Sequence, residues 1–269
     1  MQHVLWIGGP PAAGKTTVAT RLARRHGLRL YRADTQTWVH RDRALAERHP
    51  AARRWESLSQ SERWERSSVA DMLEMSLQRE RGPMVIDDLR ALPEAPLVMA
   101  EGTTLPAWAV SSGLAPRSQA VWLLPTAEFQ DAQLATLGTT GGQLLLYRRL
   151  REVIGRDALE HDVPALVVDG SRGATEIADA VERLFAATLA AGPVAATHQE
   201  RRRLLREMNE AVAAQVRGYC ERPWADADPD VITGRFVCEC GDPTCDAEVT
   251  RRVGEVTTAP VLAPGHRVL

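Results

Sequence analysis

Short apolar runs separated by longer amphipathic stretches dominate the first 190 residues. Val4-Leu5-Trp6-Ile7, Leu28 to Arg32, Leu97 to Gly102, Ala120 to Leu124 and Ala165 to Gly170 read as strands. The first, third, fourth and fifth lack an in–out alternation, as strands covered on both faces do. Between them, 17–26, 143–160 and 174–189 place apolar residues at helical spacing, and arginine-rich 36–80 reads as two or three helices with Trp38, Trp55 and Trp64 turned inward. Ser59-Gln60-Ser61-Glu62 carries cap chemistry for one of these. Strands alternating with helices predict an α/β fold, a parallel sheet covered by helices on both faces, with ligands at the carboxyl ends of the strands.

Met84 to Asp88 competes for the third strand, with Asp87 and Asp88 as its terminal acids. About nine residues separate it from 97–102, too few for a parallel crossover helix of a dozen or more. Residues 97–102 are therefore the predicted strand, Gly102 supplying the exit turn, and 84–92 a helix end or edge piece. Ala190 to Pro193 breaks the pattern, which sets expected domains at 1–192 and 193–269. Beyond it come a charged helix, 199–217, and a loop-rich α+β tail with short β-like runs at 231–232 and 235–237.

The chemistry begins in the loop after the first strand. Gly9-Pro10-Pro11-Ala12-Ala13-Gly14-Lys15-Thr16 satisfies G-x-x-x-x-G-K-[ST] at every specified position, between a strand and a helix. Lys15 is the only lysine among 33 basic residues. A compact ammonium reaches between phosphate oxygens where a planar guanidinium does not fit. Gly9, Ala12, Ala13, Gly14, Lys15, Thr16 and Thr17 form the expected cradle, its backbone N–H groups and helix N-terminus facing an anion. Thr16 is the expected Mg²⁺ ligand. Asp34 closes the second strand, where a carboxylate can orient a hydroxyl and take its proton or can simply cap the next helix. Glu101 is the expected acid of the third strand, with Asp87 and Asp88 as rivals.

Composition narrows the classes. A net charge of −2 over 269 residues gives no argument for nucleic acid as main partner. No apolar run approaches a membrane span of about 20 residues, and the N-terminus enters a strand directly, with no signal peptide expected. All four cysteines lie in the last fifty residues, and a reducing cytoplasm without disulfides is expected. Cys238-x-Cys240-x4-Cys245 has the compactness of a metal knuckle, with Cys240-Gly241 allowing a tight turn. His266 or Cys220 could complete four Zn²⁺ ligands, and the metal would be structural because the tail has few apolar residues to fold around.

The GPPAAGKTT loop, an Asp ending the second strand, and an arginine-rich helix before a final LVVDG strand make residues 1–190 resemble the small P-loop kinases: adenylate, shikimate and gluconate kinases and the chloramphenicol phosphotransferases. The resemblance implies a P-loop NTPase fold, ATP and Mg²⁺ as cofactors, and transfer to a hydroxyl of a small molecule such as a nucleoside, a sugar acid or an antibiotic. It implies Asp34 at the acceptor hydroxyl, Glu101 at the Mg²⁺ shell or acceptor, and lid arginines within 148–156, led by Arg148 and Arg149 after the Gly-rich break at 138–142. Residues 131–142 contain no arginine, so the expected lid is short. Arg41 and Arg43 follow the second strand and could bind an anionic or polyhydroxylated acceptor. The tail resembles a CECG…C…GH module of high-GC bacterial proteins. Together with Arg201-Arg202-Arg203 it also fits a different class, a nucleotide-dependent switch whose C-terminal module binds a macromolecule.

Overall fold

The computed structural model describes all residues, 1–269. Five parallel strands make the central sheet: β1 (Val4–Gly8), β2 (Arg29–Arg32), β3 (Val98–Gly102), β4 (Ala120–Pro125) and β5 (Ala165–Val168), in the order β2-β3-β1-β4-β5. The third strand, Val98–Gly102, falls within the expected 97–102. Residues 84–88 lie inside a helix, α5 (Arg81–Ala91), whose Val85, Ile86 and Leu89 pack under the sheet.

Both faces are buried, as continuous apolar strands require. In β1, Val4 and Trp6 enter one core while Leu5 and Ile7 enter the other. The first core is closed by α5 and by α8 (Gly141–Glu160), through Leu146, Leu150 and Ile154. The second is closed by α1 (Lys15–His26) and α9 (Ala174–Ala191), through Val18, Leu22, Val181 and Phe185. The segment after β2 folds into a short 3₁₀ turn (Ala33–Gln36), α2 (Thr37–Ala46), α3 (Pro50–Ser57), a π-helical turn (Glu62–Arg66) and α4 (Val69–Met75). Ser59 and Glu62 do exchange the expected cap bonds: the Ser59 amide and hydroxyl both donate to the Glu62 carboxylate. Two shorter helices, α6 (Trp108–Ser111) and α7 (Ala127–Thr136), flank β4.

The charged helix beyond the 190–193 break, α10 (His198–Cys220), is longer than its sequence pattern indicated. It lies on the main sheet, and its Leu205 and Met208 join the second core. Arg29 of β2 pairs with Glu207 at 3.0 Å. The tail contributes an antiparallel pair, β6 (Thr233–Val237) and β7 (Glu248–Arg252). Its own core is small: Phe236, Val253, Val256 and Val261 against Ala213 of α10. Asn209 ties β6 to α10, accepting from the Val237 amide at 2.8 Å and donating to its carbonyl at 2.9 Å.

Candidate functional site

The phosphate loop joins β1 to α1 at the carboxyl end of the sheet. Gly14 holds φ +82, a left-handed conformation that an L side chain rarely adopts, and this turn starts the helix at Lys15. The Lys15 side chain is buried, and its ammonium donates to the Pro10 carbonyl at 2.7 Å. Burial lowers its pKa, opposed by the negative charges of Asp34 and Glu101.

Glu101 is fully buried at the end of β3. One of its oxygens accepts from the Thr16 hydroxyl at 2.9 Å and from Arg32 Nε at 3.2 Å. The other, Oε2, is buried with no partner. Burial, then the charge of Asp34, raises the Glu101 pKa, while Arg32, Lys15 and Thr16 counter it. A hydroxyl and a carboxylate with a spare buried oxygen beside a phosphate loop form a donor set suited to Mg²⁺. Asp87 and Asp88 do not line the cleft that holds the loop. Arg43 pairs with both at 3.2 Å, and Asp88 also accepts from Tyr31 and bonds His40, each at 2.7 Å.

Asp34 lies in the 3₁₀ turn, where its Oδ1 accepts from the Thr103 hydroxyl at 3.0 Å. It lines a cleft of about 770 Å³ that runs from the phosphate loop past Thr103 and Gln78 to Trp38, Trp55 and Trp64. Gly102 permits this arrangement: at φ +156, a Cβ there would stand 2.6 Å from the Ala33 Cβ.

The arginines divide differently from the expectation. Arg41 is buried and lines the cleft. Arg43 points instead to Asp87 and Asp88. Neither Arg148 nor Arg149 lines the cleft: Arg148 makes a two-pronged pair with Asp131 at 2.9 and 3.0 Å, and Arg149 pairs with Glu152 at 2.6 Å. From α8 the cleft receives Leu146, Tyr147 and Leu150, because the phase of that helix turns its arginines away. The sequence reading missed Arg32 and Arg81, both in the cleft wall. Arg81 is buried, donating to the Ala33 carbonyl and to His40 Nδ1, and burial lowers its pKa. Gln215, from α10, was also unforeseen; it brings the C-terminal part of the chain to the same cleft.

A second cluster lies in the tail. The ligand atoms of Cys238, Cys240, Cys245 and His266 all fall within 4.8 Å of one another. His266 Nδ1 is 3.6 Å from the sulfurs of both Cys238 and Cys245. A tetrahedron with Zn–S of about 2.3 Å and Zn–N of about 2.05 Å has an S···N edge of about 3.6 Å. The thiols are free and buried, and two of the sulfurs receive donors: the Ala263 amide to Cys238 at 3.3 Å, and Arg24 of α1 to Cys245 at 3.3 Å. Metal-bound sulfurs commonly accept outer bonds of this kind, and with the S···N distances the residues present fit a zinc ion. Cys220, at the end of α10, is outside the cluster.

Fold and site together define a P-loop NTPase-type α/β protein that binds nucleotide. Residues 4–96 match the sequence model of a family described as AAA domain. The chain is 28% identical over 234 residues to a tRNA dimethylallyltransferase of Sorangium cellulosum (strain So ce56), covering 83% of this chain and 69% of that protein. No solved structure matches. No helix is long and apolar enough to cross a membrane.

Proposed function

We propose that the protein is an ATP-dependent phosphotransferase acting on a hydroxyl of a small molecule. One observation carries this reading: a phosphate loop, a Thr16–Glu101 pair suited to Mg²⁺, and the Asp34 carboxylate open onto one cleft whose far end is aromatic. The loop amides and Lys15 hold the β- and γ-phosphates. Thr16 and Glu101 would hold Mg²⁺, which would neutralise phosphate charge. The acceptor hydroxyl, oriented by Asp34, attacks the γ-phosphorus. As that P–O bond forms, the bond to the β–γ bridging oxygen breaks and ADP leaves, while the hydroxyl proton passes to Asp34. The guanidiniums best placed for the transferring group are Arg32 and Arg81, which line this cleft.

The Cys238, Cys240, Cys245 and His266 set is proposed to hold a structural Zn²⁺. Zinc would supply folding energy to a tail with a small apolar core. Reduced thiols at this centre fit a cytoplasmic setting. On this reading residues 1–192 carry the phosphate loop and the reacting groups, while 193–269 carry the metal, pack on the main sheet and bring Gln215 to the cleft.

A second reading takes its cue from the relative named for dimethylallyl transfer to tRNA: the acceptor is then a tRNA and the transferred group an alkyl group. One assay separates the two. ADP release is followed with Mg²⁺·ATP against a panel of nucleosides, sugar acids, hydroxylated antibiotics and bulk tRNA. The first reading expects slow hydrolysis alone and strong stimulation by one small acceptor; stimulation by tRNA alone, or by nothing, overturns it. With that acceptor in hand, Asp34→Asn is expected to lower acceptor-dependent turnover by about 10²–10⁴-fold while ATP binding is unchanged. Equal losses in both would make Asp34 a residue of the nucleotide site.

A further inference from the structure

Arg41 is the least satisfied charge in the cleft wall. Its side chain is 4% exposed. One terminal nitrogen donates to the Met75 carbonyl at 2.9 Å, while Nε and the other terminal nitrogen have no acceptor. The guanidinium carbon stands 4.6 Å from the centroid of the Trp55 ring. The charges of Arg81, Arg222 and Arg63 act against it, and that of Glu56 acts in its favour. Glu56 Oε2 accepts from Trp224 Nε1 at 2.6 Å, and its Oε1 stands 3.7 Å from Arg222 without a hydrogen bond to either arginine. Burial pushes the Arg41 pKa down to about 9, against the pull of Glu56 and with the repulsion of the other guanidiniums.

Folded proteins rarely leave buried donors unmet, and a buried charge without a counter-charge is costly. Here the unmet donors belong to a residue that lines an open cleft beside Trp38, Trp55 and Trp64. We propose that Arg41 binds an anionic group, phosphate or carboxylate, on the acceptor, whose flat or apolar body rests against these tryptophans. The proposal deepens the acceptor-site reading of this cleft and rests on it. It also gives the C-terminal segment a part in acceptor binding. Trp224 packs 5.8 Å from Trp38 and 6.5 Å from Trp55, and Arg63 is stacked 3.8 Å over Trp224, so this segment holds the wall in shape.

The test measures binding to the full chain and no turnover, so a failure of phosphotransfer leaves its result standing. Tryptophan fluorescence and calorimetry are followed with matched probes: adenosine monophosphate against adenosine, and benzoate against benzyl alcohol. Saturating Mg²⁺·ATPγS covers the phosphate loop, and Lys15→Ala serves as the control for binding there. At least one anionic probe should bind about tenfold or more tightly than its neutral partner, the size of a charge-assisted hydrogen bond. The pair that responds tells phosphate from carboxylate. Arg41→Gln should abolish the preference, and Lys15→Ala should keep it. Arg41→Lys, which retains the charge, should keep part of it and decides the matter if the glutamine variant does not fold. No anion preference in either pair, a preference that survives loss of the Arg41 charge, or one lost in Lys15→Ala overturns the proposal.

Discussion

Arg24→Met should weaken zinc binding by about 10–100-fold, as loss of an outer-shell partner does. Arg24 lies on the same helix as Lys15, is 8% exposed, and donates to Cys245 Sγ at 3.3 Å. Three thiolates and a neutral imidazole around a dication leave one negative charge in excess, which this guanidinium offsets. A unit pair at about 4 Å is worth about 1 kcal/mol in water and about 4 kcal/mol at an effective dielectric of 20. Arg24 and Cys245 are both buried, so the contact lies above the value in water. A hydrogen bond to a charged group contributes about 1.5–3 kcal/mol by mutation, roughly 10- to 150-fold in affinity. Methionine keeps the stem that fills the contact and removes only donors and charge, while Arg24→Lys restores the charge and should recover part of the loss. The assay is competition of the full chain against a chromophoric chelator across buffered free zinc, with a melting curve to show that each variant is folded. An unchanged affinity in a folded Arg24→Met protein would refute the coupling. Metal analysis of untagged protein finding no zinc would remove the centre itself.

Two further outcomes test the nucleotide end. Lys15→Ala should leave the fold intact and raise the Kd for ATP about 10²-fold or more, since it removes two charge-assisted phosphate contacts of about 1.5 kcal/mol or more each; unchanged affinity by calorimetry would falsify the phosphate assignment. Glu101→Gln should weaken Mg²⁺-dependent nucleotide binding about 10–100-fold yet stabilise the ligand-free protein at neutral pH. The folded state raises the Glu101 pKa, so the wild type is favoured while that group is protonated and loses this advantage as pH rises through its folded pKa. The difference in melting temperature, variant minus wild type, should therefore grow from acid to neutral pH, and a difference independent of pH would count against an ionised Glu101.

What could be read from the chain was local. Lys15 and its glycine loop are set within eight residues, between a strand and a helix that carry their own periodicity. Residues 97–102 could be preferred to 84–88 as the third strand because the gap between them is too short for a parallel crossover and Gly102 supplies an exit turn, and this placed Glu101 at a strand end. Cys238, Cys240 and Cys245 are close because the knuckle is short, and Pro264-Gly265 allows His266 to return to them. The arginines were a different matter. With 32 of them spread along the chain, many on polar helices, the pattern could not show which ones face inward. Arg41 and Arg81 entered the cleft while Arg43, Arg148 and Arg149 found carboxylates elsewhere. Helix phase relative to a cleft depends on what packs behind the helix. Behind α2 and α3 that is Trp224 and Tyr219, more than 160 residues onward. Sequence alone determined the phosphate loop, the strands that carry it and the three-cysteine knuckle, because each is encoded by neighbours along the chain. Only the tertiary structure decided the wall of the cleft, the return of His266 to the cysteines, the seat of α10 on the sheet and the contact of Arg24 with Cys245, because those depend on partners that meet only when the chain has folded.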